Sequence, residues 1–183
     1  MSTFIAWHKK NIEWWKKKLN VSNYGIAWIA FIKGLIIGLL IYHFFINTEA
    51  HAQALKVVDG DTIVIYGEKI RFFGIDTPEL KQTCMKSEQK VFCGMFAKML
   101  LIKKIGNEIP KCINVGKDIY NRILAECFIN GESLSSFLVR SGYAFAYRKY
   151  SKKFIKDEEF AKKNKLGMWS MKFEYPWNFR KGS

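Results

Sequence analysis

The fold this 183-residue chain predicts is an α+β domain: a small, partly open five-stranded β-barrel of the OB type with three helices, preceded by one transmembrane or signal-anchor helix. Three observations lead there. Residues 24–46 form an apolar run with a single charge. Downstream of residue 54, five short β-branched or aromatic runs are interrupted by one helical pattern after the third, an order that suits such a barrel. Two further helical patterns, each stopped by a glycine, complete the series β-β-β-α-β-β-α-α.

The membrane helix comes first. Tyr24–Ile46 would span roughly 35 Å as a helix, enough for a bilayer core. Lys9, Lys10, Lys16, Lys17 and Lys18 precede it. The positive-inside tendency then keeps the N-terminus in the cytoplasm and exports the rest. Phe4, Ile5, Ile12, Trp15 and Leu19 fall near one helical face among these lysines, the pattern of an interfacial helix, which favours a retained anchor. The alternative is a cleaved signal peptide with Gly34–Ile46 as its core and Ala50-His51-Ala52 as an A-x-A site, releasing a chain that starts at Gln53. The expected organisation is a basic amphipathic segment at 1–23, the membrane helix at 24–46, a linker at 47–54 and the folded domain at 55–183.

Within that domain, Leu55–Asp59, Thr62–Tyr66 and Lys69–Phe73 read as a meander with turns at Asp59-Gly60 and Gly67-Glu68. Ser87–Ile105 has Val91, Phe92, Met95, Met99, Leu100 and Ile102 at helical spacing. Strands at Lys111–Val115 and Ile123–Ile129 follow, joined around Gly116-Lys117-Asp118. Helices at Glu132–Arg140 and Ser151–Lys165 end before Gly142 and Gly167.

Charge and residue usage narrow the chemistry. The chain carries 30 Lys+Arg against 16 Asp+Glu, a net +14, of which +10 falls in residues 55–183. That excess favours an anionic partner, nucleic acid or a phospholipid surface. His8, His43 and His51 all precede the domain, which excludes a histidine base, a catalytic triad and a His-ligated zinc within it. Cys84, Cys93, Cys112 and Cys127 contain no C-x-x-C pair, so two disulfides in an oxidising compartment are the natural reading.

Three charged segments remain: Asp59-Gly60-Asp61-Thr62, then Arg71 with Asp76-Thr77-Pro78-Glu79, and Asp118-Ile119-Tyr120-Asn121-Arg122. Each alone has an ordinary explanation, as a hairpin turn, a loop before a helix or a solvated turn. Together, in this order and spacing, they resemble the staphylococcal nuclease family. The likeness continues through Leu138-Val139-Arg140-Ser141-Gly142 to Lys165-Leu166-Gly167-Met168-Trp169 and covers essentially all of residues 55–183. The four cysteines and Pro176-Trp177-Asn178-Phe179-Arg180 look like the exported, disulfide-bearing branch found in Gram-negative bacteria. That implies a place in the cell envelope, anchored in the inner membrane with the domain in the periplasm, or secreted if cut after Ala52.

The resemblance implies an OB barrel with three helices and Ca²⁺-dependent hydrolysis of DNA and RNA. It implies Asp61 and Asp76 as carboxylate ligands of Ca²⁺, the Thr77 carbonyl as another ligand, Glu79 as the base, and Arg71 and Arg122 on the scissile phosphate. These residue types suit the reaction on their own terms. A phosphodiester repels nucleophiles by its charge, which a divalent ion and two guanidinium forks offset as it grows. Glu79 is the natural base where no histidine exists. Tyr120 is a candidate phosphate contact, and Tyr147 or Tyr150 a candidate base-stacking surface. Two positions depart from the family pattern. Asn121 replaces a glycine and still suits a left-handed turn, and Ile119 replaces a basic or polar residue. Cys112 and Cys127 flank the 118–122 turn at nearly equal distance, so they are expected to pair across the strands, leaving Cys84 with Cys93.

Other readings stay open at this point. One is a membrane-tethered OB module that binds nucleic acid without cutting it. Another is an Mg²⁺ nuclease using Asp61 with Glu79-Leu80-Lys81. A third is a basic face that simply lies on anionic lipid. A monomeric chain is expected.

Overall fold

The computed structural model of the chain describes residues 2–20 and 22–182, and the side chains at 2–4, 19 and 46–53 lie outside that description. With them go Phe4 and Leu19 of the expected interfacial face and the Ala50-His51-Ala52 motif. The chain divides into two compact units, Met1–Ala50 and His51–Ser183.

The first unit is helical. Helix α1 covers Ser2–Leu19, with Lys16, Lys17 and Lys18 in its last turn, where cations complement the helix dipole. Lys18 Nζ lies 4.6 Å from the Trp14 ring centroid. Helix α2 covers Asn23–Ala54. Ser22 caps it, its hydroxyl accepting the Gly25 N–H at 3.2 Å. Residues Asn23–Phe45 have a mean hydropathy of 2.1 and are long and apolar enough, by length and composition, to cross a membrane.

The second unit is α+β. Its first strands are β1 (Leu55–Val57), β2 (Thr62–Ile65), β3 (Glu68–Phe72) and β4 (Ile75–Asp76), followed by the hairpin β5 (Thr83–Lys86) and β6 (Gln89–Phe92). Then come α3 (Cys93–Ile105), β7 (Lys111–Lys117), β8 (Ile123–Ile129), β9 (Glu132–Ser133) and α4 (Leu134–Arg140). The chain finishes with β10 (Phe145–Ala146), α5 (Ile155–Lys163), a 3₁₀ turn at Gly167–Ser170 and α6 (Pro176–Phe179).

The main sheet runs β1-β2-β3-β8-β7, with β9 on β8. These five strands are the five expected runs. β3 and β8 pair in parallel, placing Arg71 opposite Leu124, and the other neighbours are antiparallel. β1 and β7 end the path and do not pair, so the sheet is open rather than a closed five-stranded barrel. Three elements differ from expectation. The helix expected over 87–105 begins at Cys93, because residues 83–92 form a hairpin whose two turn residues, Ser87 and Glu88, take φ of +46° and +67°. The helices expected from Glu132 and Ser151 start at Leu134 and Ile155. A fourth short helix, α6, is added in the tail.

Ile63, Ile70 and Phe72 of the sheet pack against Leu101 of α3 and Leu134 and Leu138 of α4. Burying each such side chain stabilises by about 1.5–3 kcal/mol. A second cluster holds the tail. Cys84, Cys93, Phe145 and Met168 are buried with Trp169, Phe173, Tyr175 and Trp177 around them. Disulfides join Cys84 to Cys93 and Cys112 to Cys127.

The start of α3 is fixed by a close approach. A Cβ at Gly94 would stand 1.9 Å from the Glu79 carbonyl oxygen. The backbone of residue 79 therefore sits directly on the helix, and only glycine leaves room. Gly94→Ala should lower the unfolding free energy by about 1–3 kcal/mol through overpacking. Urea midpoints measure this, and an unchanged midpoint would mean that residue 79 is free to move off the helix.

Candidate active site

The first two charged segments meet where β2, β3 and β4 come together. The chain enters β2 through a turn in which Asp59 Oδ1 accepts the Asp61 N–H at 3.1 Å. Gly60 is pressed against Thr77 and Ala97, where a Cβ would come within 2.8 Å of Thr77 Oγ1. Asp61 is thereby fixed and 2% exposed. Its Oδ2 accepts the Thr77 N–H at 3.2 Å, and its Oδ1 accepts the Thr62 hydroxyl at 3.1 Å.

Arg71 lies opposite Thr62 in the β2–β3 register. Its Nη1 donates to Asp61 Oδ1 and its Nη2 to Asp76 Oδ1, each at 2.9 Å. Asp76 is 1% exposed and held on β4 by pairing with Phe145 of β10. One guanidinium thus spans two buried carboxylates.

Glu79 stands at the open edge, its side chain 44% exposed. Its N–H donates to Gln82 Oε1 at 3.2 Å, and Gln82 Nε2 donates to the Glu174 carbonyl at 2.7 Å. Its carboxylate receives Arg180 Nη1 at 2.8 Å. The same guanidinium donates through Nη2 to Asp76 Oδ2 at 2.7 Å.

Asp61, Arg71, Asp76, Thr77 and Glu79 are therefore brought together. Arg122 is not part of that contact network. Its Nε donates to Asp118 Oδ2 at 2.6 Å, and Asp118 Oδ1 accepts the N–H groups of Tyr120 and Arg122, each at 2.9 Å. This makes a self-contained turn, with Asn121 at a φ of +61°. None of Arg122's hydrogen bonds among the described residues reaches Asp61, Asp76 or Glu79. Tyr120 and Ile119 are exposed at its tip. Tyr147 is stacked on Trp177 at 5.9 Å between centroids, and Tyr150 meets it edge-on at 5.0 Å, with Tyr150 exposed.

Burial pushes the Asp61 carboxyl up to about 7; Arg71 pulls it down, and Asp59 and Asp76 add to the rise. Burial works against the charge on Arg71, but Asp61 and Asp76 outweigh it and the net shift is upward. Arg180 follows the same pattern, burial being outweighed by its bonds to Asp76 and Glu79. At Asp118 desolvation is outweighed by the combined bonds from Arg122 and Tyr120, and its carboxyl falls below the usual range.

The donor set suits a hard divalent cation. Asp61 and Asp76 are buried oxygen donors turned toward the same guanidinium, and burial penalises their charge in the absence of further compensation. Among the described residues no cluster of three or more His, Cys, Asp or Glu side chains forms a metal-binding group. Asp61 and Asp76 are the two carboxylates that the chain brings together there.

Gln82 and Arg180 were missed by sequence reasoning. A usable signal existed for Arg180: three acidic groups, Asp61, Asp76 and Glu79, were assigned to one site against two arginines. A proline-initiated helix in the tail, ending in arginine, also marks an ordered segment.

The model of the family described as staphylococcal nuclease homologue matches residues 69–171. Similar proteins include the succinoglycan biosynthesis protein ExoI of Rhizobium meliloti (strain 1021), 28% identical over 148 residues, which are 79% of this chain and 78% of that protein. Endonuclease YncB of Bacillus subtilis (strain 168) is 32% identical over 127 residues, 63% of this chain and 59% of its own length. The SPbeta prophage-derived endonuclease YokF of the same organism is 33% identical over 127 residues, 63% of this chain and 42% of its own length.

The upward shift of the Asp61 carboxyl has a measurable consequence. Its folded value lies near 7, above the ordinary 3.8. The folded state holds that proton more tightly, so the associated stability is full below about pH 4 and is lost as pH climbs to about 7. Asp61→Asn lacks this dependence. In chelator, the stability of Asp61→Asn relative to the parent should rise between about pH 4 and about pH 7 and then level off, by on the order of a few kcal/mol. Thermal unfolding across pH measures it, and a difference flat with pH would return Asp61 to the ordinary range.

Proposed function

The chain belongs to the staphylococcal nuclease homologue family, and on that footing we propose that it is a Ca²⁺-dependent endonuclease hydrolysing phosphodiester bonds of DNA, RNA or both. The observation that carries this reading is the single Arg71 guanidinium spanning two buried carboxylates, with Glu79 three residues beyond the second. The endonuclease names of two relatives and the net +10 of residues 55–183 support it.

Asp61, Asp76 and the Thr77 carbonyl would hold Ca²⁺, which when bound supplies positive charge to polarise the phosphate. Arg71 is 20% exposed, so its guanidinium keeps an open side toward solvent while its two Nη groups stay with the carboxylates. An incoming phosphate oxygen meets that side, and the charge building on it in the transition state is bound by a donor already fixed in place. Arg122 reaches the phosphate from the 118–122 turn, with Asp118 holding its Nε meanwhile. Glu79, with its side chain 44% exposed, takes the proton from the attacking water at a carboxylate oxygen, a role worth about 10²–10⁴ in rate. Tyr120 borders the phosphate beside Arg122. Tyr150 presents the freer ring for a base, since Tyr147 spends one face on Trp177.

The same reading takes residues 55–183 as a nuclease domain of the OB type acting as a monomer. Residues 24–46 are its membrane anchor, 1–23 an amphipathic cytoplasmic segment and 47–54 the linker, with the domain outside the cytoplasm where its two disulfides form.

Cleavage of single-stranded DNA by the full chain, in Ca²⁺ and in chelator, tests the assignment. Chelator should abolish cleavage. Glu79→Gln and Arg71→Ala should each lower kcat by on the order of 10²–10³. Full activity in Glu79→Gln would remove that residue as the base. Tight binding with no cleavage in Ca²⁺, Mg²⁺ or Mn²⁺ would leave an OB module that only binds.

A further inference from the structure

Arg180 reaches the site from far along the chain, 101 residues beyond Glu79 and 104 beyond Asp76. Several fastenings deliver it. Met85 and Lys172 exchange backbone hydrogen bonds, the Met85 N–H to the Lys172 carbonyl at 2.9 Å and the reverse at 3.0 Å. Gln82 binds the Glu174 carbonyl with one end of its amide and the Glu79 N–H with the other. The Tyr175 and Trp177 rings stack at 4.6 Å, and both meet the buried Phe145. The single turn of α6, which includes Trp177, then brings Arg180 onto Asp76 and Glu79.

The carboxylates need such a group. Glu79 and Asp76 are two anions bridged by one guanidinium, and like charges so placed repel. Asp76 is buried and already fixed by β4. Glu79 is 44% exposed, and among the described residues the side-chain group its carboxylate meets is Arg180. We propose that Arg180 is a positioning residue: the C-terminal strap carries it onto Asp76 so that its second nitrogen holds the Glu79 carboxylate beside the ligand-bearing corner, where a base has to stand. Arg180 acts through Glu79, and this inference rests on Glu79 being the base. Its side chain is itself 39% exposed, so the clamp closes at the rim of the site.

The test is a double-mutant cycle on the full chain, with Arg180→Ala, Arg180→Lys, Glu79→Gln and Arg180→Ala/Glu79→Gln assayed on single-stranded DNA in Ca²⁺. Arg180→Ala should lower kcat about 10–100-fold with KM changed by less than about twofold. Arg180→Lys should restore only part of the rate, because an ammonium is a point charge and does not span two carboxylates. In the Glu79→Gln background, Arg180→Ala should cost little further. A second readout needs no turnover: in chelator, the urea midpoint should fall more for Arg180→Ala in the parent than in Glu79→Gln. A higher KM with the same loss in both backgrounds would make Arg180 a direct phosphate contact. A faster rate in Arg180→Ala would make the strap an autoinhibitory plug. An unchanged kcat beside an impaired Glu79→Gln would leave the clamp without a role. Each of these three outcomes overturns the proposal. Full activity in Glu79→Gln alone would instead sink the base assignment, and the midpoints in chelator would still report whether Arg180 holds Glu79.

Discussion

Arg71, stretched between Asp61 and Asp76, is the interaction on which the rest of this unit depends. Two carboxylates almost wholly out of water are tolerable only while paired, and removing one partner from such a set typically costs about 3–5 kcal/mol. The set also pins three strands together, because its members come from the residue just before β2, the penultimate residue of β3 and the end of β4. The register that allows it is decided at the β2–β3 turn. Tyr66 and Gly67 take φ of +49° and +85°, the twisted two-residue turn that matches the natural twist of paired strands. With that turn, Thr62 faces Arg71. A slip of one residue would send the guanidinium to the opposite face of the sheet and leave both acids alone.

Around this rigid centre the molecule uses a second kind of support. The hairpin β5–β6, closed by Cys84–Cys93, and the aromatic cluster about Phe145 form a shelf for residues 168–177. Glu158, buried on α5, accepts the Ala146 N–H at 2.9 Å and pairs with Arg148, which steadies β10 from behind. β10 in turn holds Asp76. The fixed acids thus lean on the sheet, whereas Glu79 leans on the shelf, through Gly94 beneath it, Gln82 beside it and the tail above.

What the sequence reveals follows from how local each feature is. The five main strands were legible because each is a short β-branched run bounded by turn residues; the parallel pairing of β3 with β8 joins strands distant in the chain and was not. Residues 87–92 of the hairpin were read as helix because Val91 and Phe92 extend the spacing of Met95 and Met99. The spacing is continuous, but the backbone changes at Cys93. The grouping of Asp61, Arg71, Asp76, Thr77 and Glu79 lies within nineteen residues of sequence, and motif spacing reaches that far. The packing of Tyr147 against Trp177 and the arrival of Arg180 at Glu79 do not. They join residues thirty and 101 positions apart through a tail whose course no periodicity announces. Arg122 is intermediate: its turn was legible, but its hold on Asp118 appears only in three dimensions.

The strap has one more consequence, which concerns time. A polypeptide emerges from the ribosome N-terminus first. The strands bearing Asp61, Arg71 and Asp76 are therefore made well before residue 180, and for the intervening hundred-odd additions the acidic corner has Arg71 but not its second counter-cation. The corner is electrically incomplete for most of translation and is balanced only near the end of the portion described.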